Sequence, residues 1–258
     1  MRDIILITTG SIRNNLKSKV LTIVFVSITL MIVAGLALFF CLLLIAPEIN
    51  KPSPDRAQLE LYLCLIMYTT CIICLGINMN VFAFQSMTRE KSRGNIESLM
   101  ATPLSVKDIW IAKSLAVFIP GMVLGEILTL AALLAVNYIY FVPKVGFIYT
   151  YWIGLASFLA VPLVYLCLSL LAHLIGLTGK PATGNVVGQV FLPVVLTLMI
   201  NLMLRHILDA TSWPFTLANF GLAAIIAFIV IFLQPCYKGE NSIITLGDTF
   251  EENQHNFS

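Results

Sequence analysis

Six long stretches of the sequence carry almost no charged side chains. They are 20–46, 61–87, 114–142, 145–179, 181–204 and 210–237. An α-helix needs about 20 apolar residues to cross the roughly 30 Å hydrocarbon core of a bilayer. A helix also satisfies its backbone polar groups internally, which a membrane requires. The pattern therefore predicts an all-α polytopic membrane protein with six transmembrane helices.

The overall composition agrees with this prediction. Of the 258 residues, 59% are hydrophobic and only 11% are charged, whereas about one quarter of the residues of a soluble domain are charged. The first apolar stretch is too long for a signal peptide and is followed by Pro47 rather than by a small-residue cleavage site, so we expect it to remain as a helix. A formal net charge of +2 predicts no nucleic-acid partner.

The orientation follows from the distribution of basic residues, because lysine and arginine near the ends of spans are retained on the cytoplasmic side. With the N-terminus inside, eleven basic residues fall in cytoplasmic segments and four fall outside. The four are Lys51, Arg56, Lys144 and Arg205. The sequence thus predicts a multi-pass protein of the cell (inner or plasma) membrane with both termini in the cytoplasm.

The N-terminal segment 1–19 has the pattern of an amphipathic helix. Ile5, Ile12 and Leu16 recur at helical spacing with basic residues beside them. Such a segment is predicted to lie on the anionic cytoplasmic leaflet as an interfacial helix. The alternative is a disordered basic leader that only sets the topology.

The predicted domain organisation has two further parts. Residues 20–237 form the six-helix transmembrane domain. Residues 238–258 are polar and acidic with few apolar side chains, and they predict a flexible cytoplasmic tail.

The segment 85–113, QSMTREKSRGNIESLMATPLSVKDIWIAK, is the one strongly charged interruption between predicted spans. Gly94 breaks a helix, Asn95 is a favourable N-cap, and Pro103 removes a backbone donor and restricts the residue before it. The segment therefore predicts a helix, a turn and a new helix rather than a simple connector.

A short helix between Asn95 and Pro103 would be amphipathic. Ile96, Leu99 and Met100 share one of its faces. Downstream, Ser105 is predicted to cap the next helix, with Asp108 reaching back to it as a shortened capping box.

This segment resembles the signature of type-2 ABC transporter permeases, the exporter class. The residues that carry the resemblance are Glu90, Gly94, Ile96, Glu97, Leu99, Thr102, Pro103 and Lys113. The resemblance implies that the segment contains a coupling helix, which docks in a groove of a separate ABC-type ATP-binding subunit. Ile96, Leu99 and Met100 would then be the docking anchors.

The same resemblance implies the function and the partners. The chain would be the permease subunit of an ATP-driven export system, and it would pair with a second copy or with a similar permease. ATP and Mg²⁺ would be held by the partner subunit, and this chain would contain no cofactor and no catalytic site. The sequence agrees: around the Gly-Lys pair of GLTGKP (176–181), Leu174 stands where a phosphate-binding loop needs glycine and Pro181 stands where it needs serine or threonine.

Other interpretations of the segment remain open at this point. An amphipathic turn after a basic loop can simply lie on the lipid surface. The protein would then be an ATP-independent membrane channel or a structural membrane subunit.

Glu126 is the one acidic residue deep within a predicted span. It lies about 20 Å along the helix from Lys113, which places it near the middle of the membrane. An ionisable group at that depth costs free energy, so its presence indicates a function by default. Here Glu126 is predicted to line the translocation route. The alternative is a neutral, hydrogen-bonded structural glutamic acid.

The second predicted span presents Cys64, Met67, Cys71, Cys74 and Asn78 on one face. Soft ligands of this kind can bind Cu(I), so a metal-related or haem-related transporter is a less favoured alternative. Cysteine and methionine also fill helix seams, and from Cys64 to Cys74 alone this face is about 15 Å long, too spread for one ion. We therefore predict no metal site.

Two GxxxG patterns, Gly121–Gly125 and Gly184–Gly188, predict places where helices approach closely. Such patterns also arise by chance, so the sequence alone does not identify a partner helix for either.

Overall fold

The computed structural model describes residues 2–17, 19–92, 105–178, 181–205 and 207–234. The described residues are overwhelmingly helical and include no β-strand. The prediction of an all-α fold is therefore confirmed for this part of the chain.

The helices follow one another in a simple order. They are α1 (Arg2–Leu16), α2 (Lys19–Phe40), α3 (Ala46–Ile49), α4 (Arg56–Ser92), α5 (Val106–Val136), α6 (Tyr151–Leu155), α7 (Val161–Thr178), α8 (Pro181–Leu204) and α9 (Trp213–Leu233). Three five-residue π-helical turns, Cys41–Ile45, Asn137–Phe141 and Ala156–Ala160, join or extend them.

Five helical segments among the described residues are long and apolar enough to cross a membrane. They are Thr22–Ile49, Arg56–Val81, Lys107–Phe141, Tyr151–Gly176 and Trp213–Leu233. The remaining predicted span coincides with α8, in which the described apolar part, Gln189–Leu204, is shorter. The chain is a multi-pass membrane protein by the length and composition of these helices.

Two predicted boundaries are displaced because helical structure persists further than expected. The apolar helix that begins in α2 runs past Pro47 to Ile49, and α4 already begins at Arg56, so the connection between them is brief. At its other end α4 continues to Ser92, five residues beyond the predicted end of the second span at residue 87. Lysine, arginine, glutamate, glutamine and methionine are good helix formers, so charge alone does not end a helix.

Each π-helical turn lies just before a proline. Pro47, Pro143 and Pro162 each stand two residues after the last residue of a π-helical turn. Proline lacks a backbone N–H and its ring crowds the carbonyl one turn earlier. At Pro47 and Pro162 the wider turn lets the helix pass the proline, so the first and fourth apolar stretches continue as helices. At Pro143 the helix ends at Phe141, and residues 142–145 form a turn.

Helix α4 is the centre of the bundle. It packs against α2, α5, α7 and α8, and nearly all side chains from Leu63 to Leu75 are buried. By contrast, most apolar side chains of α2 and α9 are exposed on the surface of the bundle.

The two ends of the bundle can be identified from contacts between helix ends. At the first end, the side chain of Lys144 donates to Asn50, and the Thr216 hydroxyl donates to the carbonyl of Trp152 at 2.8 Å. At the second end, Trp110 near the start of α5 packs in one cluster with Leu174 of α7 and Val230 of α9. These contacts fix the first end near the starts of α4, α6 and α9, and the second end near the start of α5.

Candidate functional site

The charged segment is only partly within the described residues. Glu90 lies in the last turns of α4. The other predicted coupling residues lie outside the described residues: Gly94, Ile96, Glu97, Leu99, Met100, Thr102 and Pro103. What the structure provides is the pair of helices on either side of them.

Helices α4 and α5 form an antiparallel pair with a close contact at Gly121. A Cβ atom on Gly121 would lie 2.2 Å from Nδ2 of Asn78, and Nδ2 donates to the carbonyl of Val117 at 2.6 Å. Fourteen residues separate Asn78 from Ser92, and fourteen separate Gly121 from Lys107. The end of α4 and the start of α5 are therefore at about the same height.

This pair extends beyond the apolar part of α4. Phe82, Ala83 and Phe84 continue the apolar sequence of α4, and the eight residues 85–92 form its mostly polar end. At 1.5 Å per residue this end is about 12 Å long. The segment 93–104 thus joins two helices at the tip of a helical hairpin.

The start of α5 is held by Ser105 and Asp108. The Ser105 hydroxyl accepts a hydrogen bond from the backbone N–H of Asp108 at 3.1 Å and donates to the Asp108 carboxylate at 2.7 Å. The predicted cap is therefore present, although Asp108 contacts the hydroxyl rather than the backbone N–H of Ser105. Asp108 also lies in the first turn, where the helix dipole favours a negative charge.

Helix α1 packs against the first turns of α5. The Thr8 side chain is buried and its hydroxyl donates to the carbonyl of Ala112 at 3.3 Å. Counted from the contact between Gly121 and Asn78, Ala112 is level with about residue 87 of α4. Ile5 and Leu16 remain exposed on α1, so one face binds the bundle and the adjacent apolar face is open.

Glu126 occupies a half-buried position on α5 near the middle of the bundle. A Cβ atom on its neighbour Gly125 would lie 3.3 Å from the Cβ of Cys74, and on the other side Val123 and Ile127 are exposed. Neither of the two salt bridges found among the described residues involves Glu126.

The cysteine and methionine face of α4 is part of the protein core. The side chains of Cys64, Met67, Cys71 and Cys74 are fully buried. The Cys71 thiol donates to the carbonyl of Ser157 at 3.0 Å. Within the part of the chain that the structure describes, no group of three or more histidine, cysteine, aspartate or glutamate side chains is placed to hold a metal ion.

Helix α7 carries a buried polar stripe that was not predicted from the sequence. Tyr165, Ser169 and His173 recur every four residues and are all buried. Ring nitrogen Nδ1 of His173 lies 2.8 Å from the carbonyl of Ser169, and the Ser169 hydroxyl donates to the carbonyl of Ser114 on α5 at 3.0 Å. The four-residue spacing of polar side chains in an apolar stretch was the signal available in the sequence.

A second polar contact crosses the bundle near the first end. The Tyr68 hydroxyl of α4 donates to Oδ1 of Asn219 on α9 at 2.7 Å, and Nδ2 of Asn219 donates to the carbonyl of Phe215. The Tyr68 ring also packs edge-to-face on Phe215. Every side-chain polar atom of this pair is thereby satisfied.

The loop between α3 and α4 is organised by Glu48, a residue that the sequence analysis did not single out. Its carboxylate contacts the ammonium group of Lys51 at 2.6 Å and accepts from the backbone N–H of Asp55 at 3.4 Å. The hydrogen bond that Lys51 donates to Glu48 raises the pKa of Lys51 above its ordinary value. These contacts fold the loop back onto the end of α3.

Comparison of the chain with protein-family models, curated proteins and solved structures finds no match. The resemblance of segment 85–113 to exporter permeases therefore rests on the residues of that segment alone.

Proposed function

We propose that this chain is the membrane-spanning subunit of an ATP-driven ABC export system of the type-2 class. The proposal starts from the residues between Glu90 and Pro103, whose order resembles the coupling segment of such permeases. ATP and Mg²⁺ would be held by a separate ATP-binding subunit, and the conformational change of that subunit would drive this chain.

The observation that carries the proposal is the helical hairpin of α4 and α5. Two long antiparallel helices that end at about the same height and are joined by a brief segment are suited to transmit a rigid-body displacement. Helix α4 is also the central helix of the bundle, so a displacement at the hairpin tip would reach all the helices that pack on it. A two-state partner can bias the membrane helices in this way.

We also propose that α8 is a sixth crossing. It begins three residues after α7 ends, and α9 begins nine residues after α8 ends. The end of α7 is at the second end of the bundle and the start of α9 is at the first end. A helix of 24 residues between those points is about 36 Å long, which is sufficient to span the hydrocarbon core.

Six crossings put both chain termini at the second end, together with the hairpin tip. Because eleven of the fifteen basic residues then fall at that end, we assign it to the cytoplasmic side of a cell membrane. The exposed apolar side chains Ile5 and Leu16 of α1 would lie in the inner leaflet.

The exposed helices provide the surfaces that a permease dimer requires. Most apolar side chains of α2 and α9 are exposed, so lipid or a second permease would cover them. Glu126, half-buried at mid-height, would contact the translocation route.

The proposal is tested by affinity purification of this chain in detergent from its native membrane. The native chain is expected to retain an ATPase subunit. The double variant Ile96→Asp and Leu99→Asp is expected to lose it, because two charges would replace the apolar anchors of the coupling helix.

Ser98→Asp is the matched control, since it adds a charge in the same segment but off the apolar face. It is expected to retain the ATPase. Equal recovery of membrane-inserted chain from all variants establishes that the loss is one of docking. Retention of the ATPase by the double variant, or absence of an ATPase from the native preparation, contradicts the proposal.

A further inference from the structure

A small cavity lies inside the bundle between α4, α5 and α7. Its lining residues are Leu75, Asn78, Met79, Val117, Phe118, Tyr165 and Ser169. The volume open to the centre of a water molecule is about 10 Å³. A single water needs roughly 10–15 Å³ by this measure, so the cavity has the size of one water molecule.

Two polar atoms on the cavity wall are without hydrogen-bond partners among the described residues. They are Oδ1 of Asn78 and the hydroxyl of Tyr165. Asn78 is 1% exposed and Tyr165 is 4% exposed, so bulk water does not reach them. Buried polar atoms in proteins are normally hydrogen-bonded, to protein or to an internal water.

A third polar group on the wall has spare capacity. The Ser169 hydroxyl uses its hydrogen to donate to the carbonyl of Ser114, which leaves its oxygen lone pairs as acceptors. The remaining wall is formed by the apolar side chains of Leu75, Met79, Val117 and Phe118.

We infer that this cavity binds one water molecule that joins α4 to α7. The water would donate to Oδ1 of Asn78 and to Oγ of Ser169, and it would accept from the hydroxyl of Tyr165. Three hydrogen bonds are the usual number for a buried water. An apolar guest would leave Asn78 and Tyr165 unsatisfied, and a larger polar guest would not fit.

The bundle also contains a tyrosine–asparagine contact with no cavity between the two side chains. Tyr68 and Asn219 also join two helices through a hydroxyl and an amide oxygen, but they do so directly at 2.7 Å. The same two residue types therefore occur once in direct contact and once around a cavity.

The test is the cross-relaxation between water and the side-chain amide protons of asparagine, measured by NMR on the full chain in lipid nanodiscs. Measurement in the rotating frame separates dipolar contact from chemical exchange by sign. The variants Asn78→Asp and Asn219→Asp assign the two amides. We expect a dipolar cross-peak with water for Asn78 and none for Asn219.

A second measurement uses matched hydroxyl deletions. Tyr165→Phe is expected to reduce the Asn78 cross-peak at least about twofold, because the water loses one of its three partners. Tyr68→Phe is expected to leave it unchanged.

Absence of the Asn78 cross-peak, cross-peaks of equal strength for both asparagines, or an Asn78 cross-peak indifferent to Tyr165→Phe each overturns the inference. The comparison of Asn78 with Asn219 is made in the native chain, so it holds even where the Tyr165→Phe variant fails to fold. Neither measurement involves an ATPase, so this inference and the proposed function can fail separately.

Discussion

Gly121 determines how closely α4 and α5 can approach. The space that its missing side chain leaves is filled by Asn78, whose amide reaches the backbone carbonyl of Val117. The first GxxxG pattern is therefore a contact within this chain, since Gly125 likewise faces Cys74. Small residues allow such contacts in membranes because they bring helix backbones together.

Gly121→Ala is expected to destabilise the bundle by about 1–3 kcal/mol, the usual cost of overpacking a close contact. The added methyl group would overlap the Asn78 side chain and displace its hydrogen bond. The free energy of unfolding in mixed detergent micelles, measured by titration with a denaturing detergent, reports the change.

Gly35→Ala is the matched control, because a Cβ atom at that position on α2 meets nothing within 4 Å. It is expected to leave stability unchanged or to raise it by up to about 1 kcal/mol through helix propensity. Equal effects of the two substitutions would contradict the close contact at Gly121.

Tyr68→Phe is expected to destabilise the protein by about 1–2 kcal/mol. The substitution keeps the ring on Phe215 but leaves Oδ1 of Asn219 buried without its partner, and an unsatisfied buried acceptor costs about 1–3 kcal/mol. Interhelical hydrogen bonds in membranes average only about 0.6 kcal/mol, so the lower half of that range is expected.

The same detergent titration measures the effect of Tyr68→Phe. Tyr138→Phe serves as its control, since Tyr138 is 64% exposed and should tolerate the loss of its hydroxyl. A Tyr68→Phe variant as stable as the Tyr138→Phe variant would rule out a stabilising role for the Tyr68–Asn219 bond.

At the scale of the helix, two of the three prolines that follow π-helical turns do not end their helices. The π-helical turns before Pro47 and Pro162 absorb the missing donor within the helix, whereas the helix before Pro143 ends at Phe141. Pro120 and Pro193 lie inside α-helices, so a proline is not sufficient to produce such a turn. The first predicted span ended at residue 46 because the spans were defined by the absence of charge, and Glu48 follows shortly after.

The cap at Ser105 sets the start of α5 and therefore the length of the hairpin. Ser105→Ala is expected to weaken the first turn by about 0.5–2 kcal/mol, since the N–H of Asp108 loses its acceptor. Amide hydrogen exchange should become faster at residues 106–109 while exchange in the centre of α5 is unchanged.

Ser105→Asn is the companion variant, because asparagine is an equally good N-cap. It is expected to preserve the slow exchange of the first turn. Unchanged protection in Ser105→Ala would mean that the hydroxyl contributes nothing to the helix start.

For the whole molecule, the apolar stretches predicted the all-α class and most spans because length and hydropathy are local properties. Other features depend on which helices meet. The partner of Asn78 is a backbone carbonyl 39 residues away, and the partner of Tyr68 is 151 residues away. No periodicity within one helix specifies such a pair. The four-residue spacing of Tyr165, Ser169 and His173 was visible in the sequence, but the contact of Ser169 with Ser114 on α5 was not.

In the candidate site too, local features were predictable from the sequence, and features that depend on packing between helices were not. The cap at Ser105 and Asp108 was predictable because its four residues are consecutive and the capping rule is local. The height of Glu126 was also predictable, from its distance along one helix. Its surroundings were not, because the close approach of Gly125 to Cys74 depends on packing between two helices.

The number of crossings is the global property that the functional proposal needs most, and it can be tested by labelling introduced cysteines in intact cells. The six native cysteines are first replaced. The variants Ser53→Cys, Lys180→Cys and Ser212→Cys are then each treated with a membrane-impermeant maleimide. Six crossings put residues 53 and 212 on the outer side and residue 180 on the inner side.

Labelling of positions 53 and 212 in intact cells, with labelling of position 180 only after the cells are opened, is therefore expected. The outcome separates the two topologies because α8 is the only helix that the structure describes between positions 180 and 212. If α8 did not cross, those two positions would label together and the chain termini would lie on opposite sides of the membrane. The coupling hairpin lies on the same side as the N-terminus whether or not α8 crosses, because that placement depends only on α2 and α4. Joint labelling of positions 180 and 212 would therefore remove the sixth span, and the docking experiment would still decide the function.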